Sequence, residues 1–138
     1  MFLLLDTPSI SISFDSVERW LYAEWKGPQD LQSVQWGALE MLRFLKQEGC
    51  SRVLNDNRLV TSIWADAAEW GGRIWFPQMV DAGLQYFAWI YSPNAYSRLS
   101  TDLTLAHTTA DLPLIATFDN LEAAAAWLRN VQATDRSR

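Results

Sequence analysis

The chain has 138 residues, 49% apolar and 20% charged, the composition of one ordinary globular domain rather than a disordered segment. Its 11 basic and 16 acidic residues leave a net charge of −5, and the basic ones are scattered singly, so no nucleic-acid-binding surface is expected. The one cysteine, Cys50, excludes an internal disulfide and fits a reducing, cytoplasmic setting.

The opening "MFLLLD" is too short an apolar patch for a signal peptide or a membrane span and has no basic flank. A soluble, non-exported chain is expected. In "ISISFD" the residues Ile10, Ile12 and Phe14 alternate with Ser11 and Ser13, the period of two of a strand wet on one side, expected at a sheet edge. "SVER" makes a turn into "WLYAEW", a second strand in a hairpin with the first. Gly27-Pro28 ends it, and Asp30 is the expected N-cap of a helix whose apolar residues run from Leu31 to Leu45 at helical spacing. Gly49 is its expected C-terminal stop.

"RVLND" reads as a short third strand, and the segment Asn55–Ser62 as the loop that follows it. A helix is expected from Asp66 to Ala82, with Asp66 and Glu69 spaced as a capping box and a kink at Gly71-Gly72 and Pro77. "YFAWIY", residues 86–91, is apolar throughout and reads as a central strand covered on both faces. Residues 95–107 form a weaker helix carrying Leu99, Leu103 and Leu105. "LIATF" is the fifth strand, and a last helix led by Asp119 and Glu122 runs to Val131. Residues 1–131 are therefore expected as one domain and 132–138 as a flexible polar tail. The order is ββαβαβαβα: an α/β fold with a five-stranded, mixed but mainly parallel sheet and four helices.

That order, with "YAEWKG", "WFPQMVDAGLQYFAWIYSP" and "FDNLEAAAAWL", resembles the STAS fold of SpoIIAA, the anti-sigma factor antagonist. More closely it is similar to the uncharacterised bacterial SpoIIAA-like (STAS/SEC14-type) proteins, over roughly residues 9–131. The resemblance implies a cytoplasmic, non-enzymatic regulatory module that binds a protein partner. In the antagonists a serine after the third strand is phosphorylated. The corresponding stretch here is "LNDNRLVTS", where Asp56 matches the acidic position and Asn57 replaces the serine. Thr61 and Ser62 are then the nearby candidate phosphate acceptors.

Ligands of open parallel sheets bind beyond the carboxyl ends of the strands. Asn55, Asp56, Asn57, Arg58, Ser92 and Asn94 are the candidate partner- or ligand-binding residues there, and turn-forming or capping roles are the plainer reading of the same residue types. A second candidate is an aromatic groove beside the bent helix, built from Trp64, Trp70, Trp75 and Phe76, which would make the protein a carrier of a small apolar or lipid-like ligand. Because Trp75 and Phe76 are adjacent, they are expected to point about 100° apart. No catalytic residue, metal site or cofactor is expected: the one histidine, His107, lies far in sequence from Cys50 and Asp56. The edge hairpin and surplus aromatics also suggest a homodimer.

Overall fold

A computed structural model describes residues 1–108 and 113–136, the side chains of 132–136 apart. The strands are β1 (Phe2–Asp6), β2 (Ile10–Asp15), β3 (Trp20–Gly27), β4 (Arg52–Val60), β5 (Tyr86–Ile90) and β6 (Leu114–Phe118). They form one six-stranded sheet in the order β1-β2-β3-β4-β5-β6, with β1, β2 and β3 antiparallel and β3 through β6 parallel. The mixed α/β architecture is as expected, but the strand count is six, not five. "FLLLD" pairs with β2 and takes the edge that the "ISISFD" strand was expected to hold. A five-residue apolar run carries no helical or alternating period, which is why it gave no strand signal.

Helix α1 (Leu31–Glu48) starts on a capping box: Asp30 Oδ1 accepts from the Ser33 backbone N–H at 2.8 Å, and Ser33 Oγ from the Asp30 N–H at 3.0 Å. It stops at Gly49, whose φ of 62° is left-handed. The second helical stretch, α2, covers 65–81 in four pieces: a 3₁₀ turn Ala65–Ala67, an α turn Ala68–Trp70, a π-helical segment Gly71–Trp75 and an α segment Phe76–Asp81. The weak point expected at Gly71-Gly72 and Pro77 is therefore a π-helical turn rather than a break. Asp66 and Glu69 do not cap it. Glu69 instead lies 3.6 Å from Arg73, and no side chain caps the first turn.

Helix α3 (Ala95–Ala106) is capped by Asn94. Its inward face differs from expectation: Leu99 and Leu103 are exposed, while Ser97, Ser100, Thr101 and Thr104 are buried. Thr104 packs close against Gly71-Gly72, and Ser97 and Ser100 meet Trp64, so the small hydroxyl side chains take the inward face. The hydroxyls of Ser100 and Thr104 satisfy themselves on the carbonyls of Tyr96 and Ser100, each at 2.9 Å. Helix α4 (Leu121–Arg136) is capped by Asn120, which accepts from the Ala123 N–H at 2.8 Å; Asp119 pairs with Arg98 instead. It runs past the expected domain end at 131, and 137–138 lie outside the described residues.

Helices α1, α2 and α3 each join two parallel neighbours and pack on one face, as crossovers of a single hand require. That face holds the larger core, with Ile10, Leu21, Met41, Val53, Phe76 and Phe87 among its fully buried members. The other face holds a smaller core in which α4 packs Ala124, Ala125 and Leu128 on Trp20, Leu54, Ala88 and Ile90. Consecutive residues of β4 and β5 thus serve opposite cores, as the pleat dictates. The expectation for 86–91 as a strand covered on both faces holds for 86–90, where Phe87, Ala88, Trp89 and Ile90 are all buried; Tyr91 lies beyond the strand end.

Candidate functional site

The stretch expected as a loop after the third strand is not a loop. Strand β4 continues to Val60, so Asn55, Asp56 and Asn57 lie within the sheet and are all buried. Both β3 and β5 pair with Asn55 and Asp56, and β3 pairs again with Leu59 and Val60, which overrides the turn-like composition of "NDNR". The pleat then divides these residues. Asn55 and Asn57 face the three-helix side, and Asp56 faces the α4 side.

On the α4 side Asp56 is 1% exposed and fully engaged. Tyr22 donates its hydroxyl to Oδ2 at 2.6 Å, and the Arg58 guanidinium binds both oxygens, with Nε at 3.0 and 3.1 Å and Nη2 at 2.8 Å. The Arg58 backbone N–H adds a bond to Oδ1 at 3.0 Å. Burial raises the carboxyl's pKa, but the bonds from Arg58 and Tyr22 outweigh it and hold the group below the usual carboxylate range. The same bonding, after burial, pushes the Tyr22 phenol up, and that from Asp56 pushes the Arg58 guanidinium up. The Asp56 carboxylate is thus engaged within the protein, while the Arg58 side chain remains 41% exposed.

The remaining rim candidates are structural too. Ser92 is buried and donates to the Val60 carbonyl at 2.6 Å. Asn94 caps α3 and donates to the Thr61 carbonyl at 3.1 Å. Ser62 is half-buried, its hydroxyl accepting from the Gln29 N–H at 2.8 Å and lying 3.0 Å from the Gln29 carbonyl, while Thr61 is exposed. Cys50 is buried, and burial pushes its thiol up to about 11. His107 closes α3, its Nδ1 accepting from Arg73 Nε at 3.4 Å. Among the described residues no group of three or more His, Cys, Asp or Glu is placed to hold a metal, and no helix is long and apolar enough to cross a membrane.

On the other side of β4, facing the three helices, lies a cleft of about 470 Å³, part of it open to solvent. Five indoles line it: Trp25, Trp64, Trp70, Trp75 and Trp89. Trp25, at the end of β3, lies against α1 at Gly37, where a Cβ would sit 2.6 Å from its ring, and its Nε1 donates to Asn55 Oδ1 at 2.9 Å. Trp64 is held through its Nε1 to Ser97 Oγ at 3.2 Å and its backbone N–H to Ser100 Oγ at 3.0 Å. Trp75 donates to the Ala38 carbonyl at 2.7 Å. Trp64 and Trp89 stack with centroids 6.1 Å apart and planes 18° from parallel. Of the lining residues, Val34 of α1 and Trp70 of α2 are half-buried and mark the mouth.

Two polar atoms in this lining, both deeply buried, are unsatisfied: Asn57 Oδ1, an acceptor, and Trp89 Nε1, a donor. The sequence-derived groove is therefore partly present. Trp64, Trp70 and Trp75 line the cleft, but Phe76 does not; it packs under it on Phe87 at 5.0 Å. Trp75 and Phe76 are both buried, with rings 4.8 Å apart, so both face the core although adjacent helical residues point about 100° apart. Trp25, Trp89 and Asn57 were not assigned to the groove, although the alternation of β3, β4 and β5 places them on the same side as the core residues Ala23, Val53 and Phe87. No protein-family model matches the chain, and no curated protein matches it.

Proposed function

We propose that this protein is a non-catalytic binding module whose ligand is a small, largely apolar molecule held in the tryptophan-lined cleft at the carboxyl ends of β3, β4 and β5. The observation that carries this reading is the ring of five indoles, each fixed by packing or a hydrogen bond, around a cleft that opens between α1 and α2. Rigid aromatic walls with few polar groups are what a small apolar ligand requires. The position, outside the carboxyl ends of parallel strands, is where open α/β sheets take their ligands.

The rival reading, a protein-binding regulator of the SpoIIAA-like kind, draws support from the layered order of strands and helices. Its proposed contact surface is weaker, since Asp56 is buried and saturated and Asn55 and Asn57 face inward. Native mass spectrometry of gently purified protein separates the two. Ligand binding predicts a retained small-molecule adduct, lost when Val34→Trp narrows the mouth. Protein with no adduct, and with tryptophan emission unmoved by apolar compounds at millimolar concentration, would count decisively against the cleft.

A further inference from the structure

We infer that the ligand of the cleft is uncharged and carries a head that both donates and accepts a hydrogen bond, an alcohol or an amide, with the donor meeting Asn57 Oδ1 and the acceptor meeting Trp89 Nε1. This rests on the cleft being the binding site, and it adds the chemistry of the head. Both atoms are buried without a partner, in residues 3% and 4% exposed, and both residues line the same cleft. Buried polar groups left unsatisfied are uncommon and costly, so two of opposite character in the lining of one cleft call for a complementary guest. Asn57 lies two residues beyond Asn55, which pairs with Trp89 across β4 and β5, so both residues sit at the carboxyl end of the parallel sheet and line the same cleft.

The charge state follows from what is missing around them. Among the described residues no Lys, Arg, His, Asp or Glu lines the cleft. A carboxylate would have no cation to meet and would bring a second acceptor against Asn57 Oδ1. A quaternary ammonium could use the indole faces but would leave both polar atoms unpaired. A hydroxyl satisfies both at once, and so does an amide N–H and C=O. The size agrees: a cleft of about 470 Å³, part of it open to solvent, accommodates a small molecule of about one ring.

The test uses four probes that share one ring and differ in the head: benzyl alcohol, toluene, benzoate and benzyltrimethylammonium. Each is titrated into the full chain at pH 7 and followed by tryptophan emission and by saturation-transfer NMR of the probe. Benzyl alcohol is expected to bind at least about fivefold more tightly than toluene, since two buried hydrogen bonds are gained. In Asn57→Leu, checked for folding by circular dichroism, that preference is expected to vanish while toluene still binds. Equal affinity of toluene and benzyl alcohol for the wild type, or tightest binding by either charged probe, would overturn the head assignment and leave the cleft standing. Binding of none of the four would remove both.

Discussion

Gly72 gives the sharpest test of how α2 and α3 are packed. A methyl group there would lie 2.7 Å from both His107 Cβ and the Thr104 carbonyl oxygen, and 2.9 Å from the His107 carbonyl carbon. Two of these three atoms are backbone, so they cannot swing aside as the tip of a side chain would. Replacing glycine by alanine in an open helix gains about 1 kcal/mol, while overpacking a tight contact costs about 1–3 kcal/mol. With rigid backbone on the far side the cost falls near the upper end, and Gly72→Ala is expected to lose about 1–2 kcal/mol net. Its neighbour is the internal control. A methyl on Gly71 meets only the Thr104 Cγ2 at 3.3 Å, which can yield by a few tenths of an ångström. Gly71→Ala should therefore be neutral or gain up to about 1 kcal/mol.

Urea unfolding followed by tryptophan emission measures both variants, and a thermal melt by circular dichroism gives a second reading. Each kcal/mol should move Tm by about 3–6 °C in a domain of this size. Relief of the clash moves α3 outward, which loosens the Ser100 contact with Trp64, so Gly72→Ala should also shift the emission to the red. A Gly72→Ala protein as stable as the wild type, or one less stable only to the extent that Gly71→Ala is, would show that the two helices do not meet at this separation.

Three further expectations concern buried groups. Asp56→Ala should cost about 1–3 kcal/mol, because it takes from the Tyr22 hydroxyl its 2.6 Å partner and from the Arg58 backbone N–H its acceptor, while the exposed guanidinium turns to water, and chemical denaturation at pH 7 measures it. Since the folded carboxyl is held below its ordinary value, its contribution is full above the unfolded pKa near 4 and is lost as pH falls through the lower folded value; the gap between wild type and variant should close in that acid range, and a gap constant down to pH 2 would contradict it. Cys50 should resist a maleimide or disulfide reagent in the folded protein at pH 7, reacting only at the rate of unfolding, because the thiol is buried and pushed up to about 11; prompt stoichiometric labelling would place it at the surface. Asn57→Leu should raise stability by about 1 kcal/mol, since an unpaired buried amide oxygen is replaced by apolar surface, and a loss in urea unfolding would mean the amide has a partner in the protein.

Much of the fold was legible because its signals are local. Asp30 with Gly49, the alternation of Ile10, Ile12 and Phe14, and the uniform apolarity of 86–90 each name an element by period or cap. What failed depended on neighbours in space. β1 is a strand only because β2 offers it a ladder, and α3 buries Thr104 against Gly71-Gly72 and Ser97 and Ser100 against Trp64. Local signals also misplaced the caps: Asp119 and Asn120 both suit the N-cap of α4, and the ion pair with Arg98 draws Asp119 away. The groove on α2 was readable as surplus tryptophan, but its other wall comes from strands far off in sequence, so only the assembled sheet brings Trp25 and Trp89 to Trp64 and Trp75.

The most consequential difference is the one at "NDNR". Pairing of β3 with β4 runs Glu24 with Asp56 and then Lys26 with Leu59, so β4 carries an extra residue at this point, a bulge. Without it, alternation from Asn55 and Asn57 would carry Leu59 inward; instead Leu59 is 52% exposed and Val60 is buried. A bulge leaves a backbone donor needing a partner, and the Asp56 carboxylate takes the Arg58 N–H and clamps the Arg58 guanidinium over it. Asp56 therefore fixes the turn of the strand at the place where Asn57 enters the cleft, although it lies on the opposite face. Removing Asp56 and Arg58 together would disturb the cleft through the bulge as well as any surface contact, so loss of binding in that double variant would identify neither. Asn57→Leu leaves the Asp56 clamp intact and changes only the inward side chain, which makes it the substitution that separates a cleft ligand from a partner on the outer face.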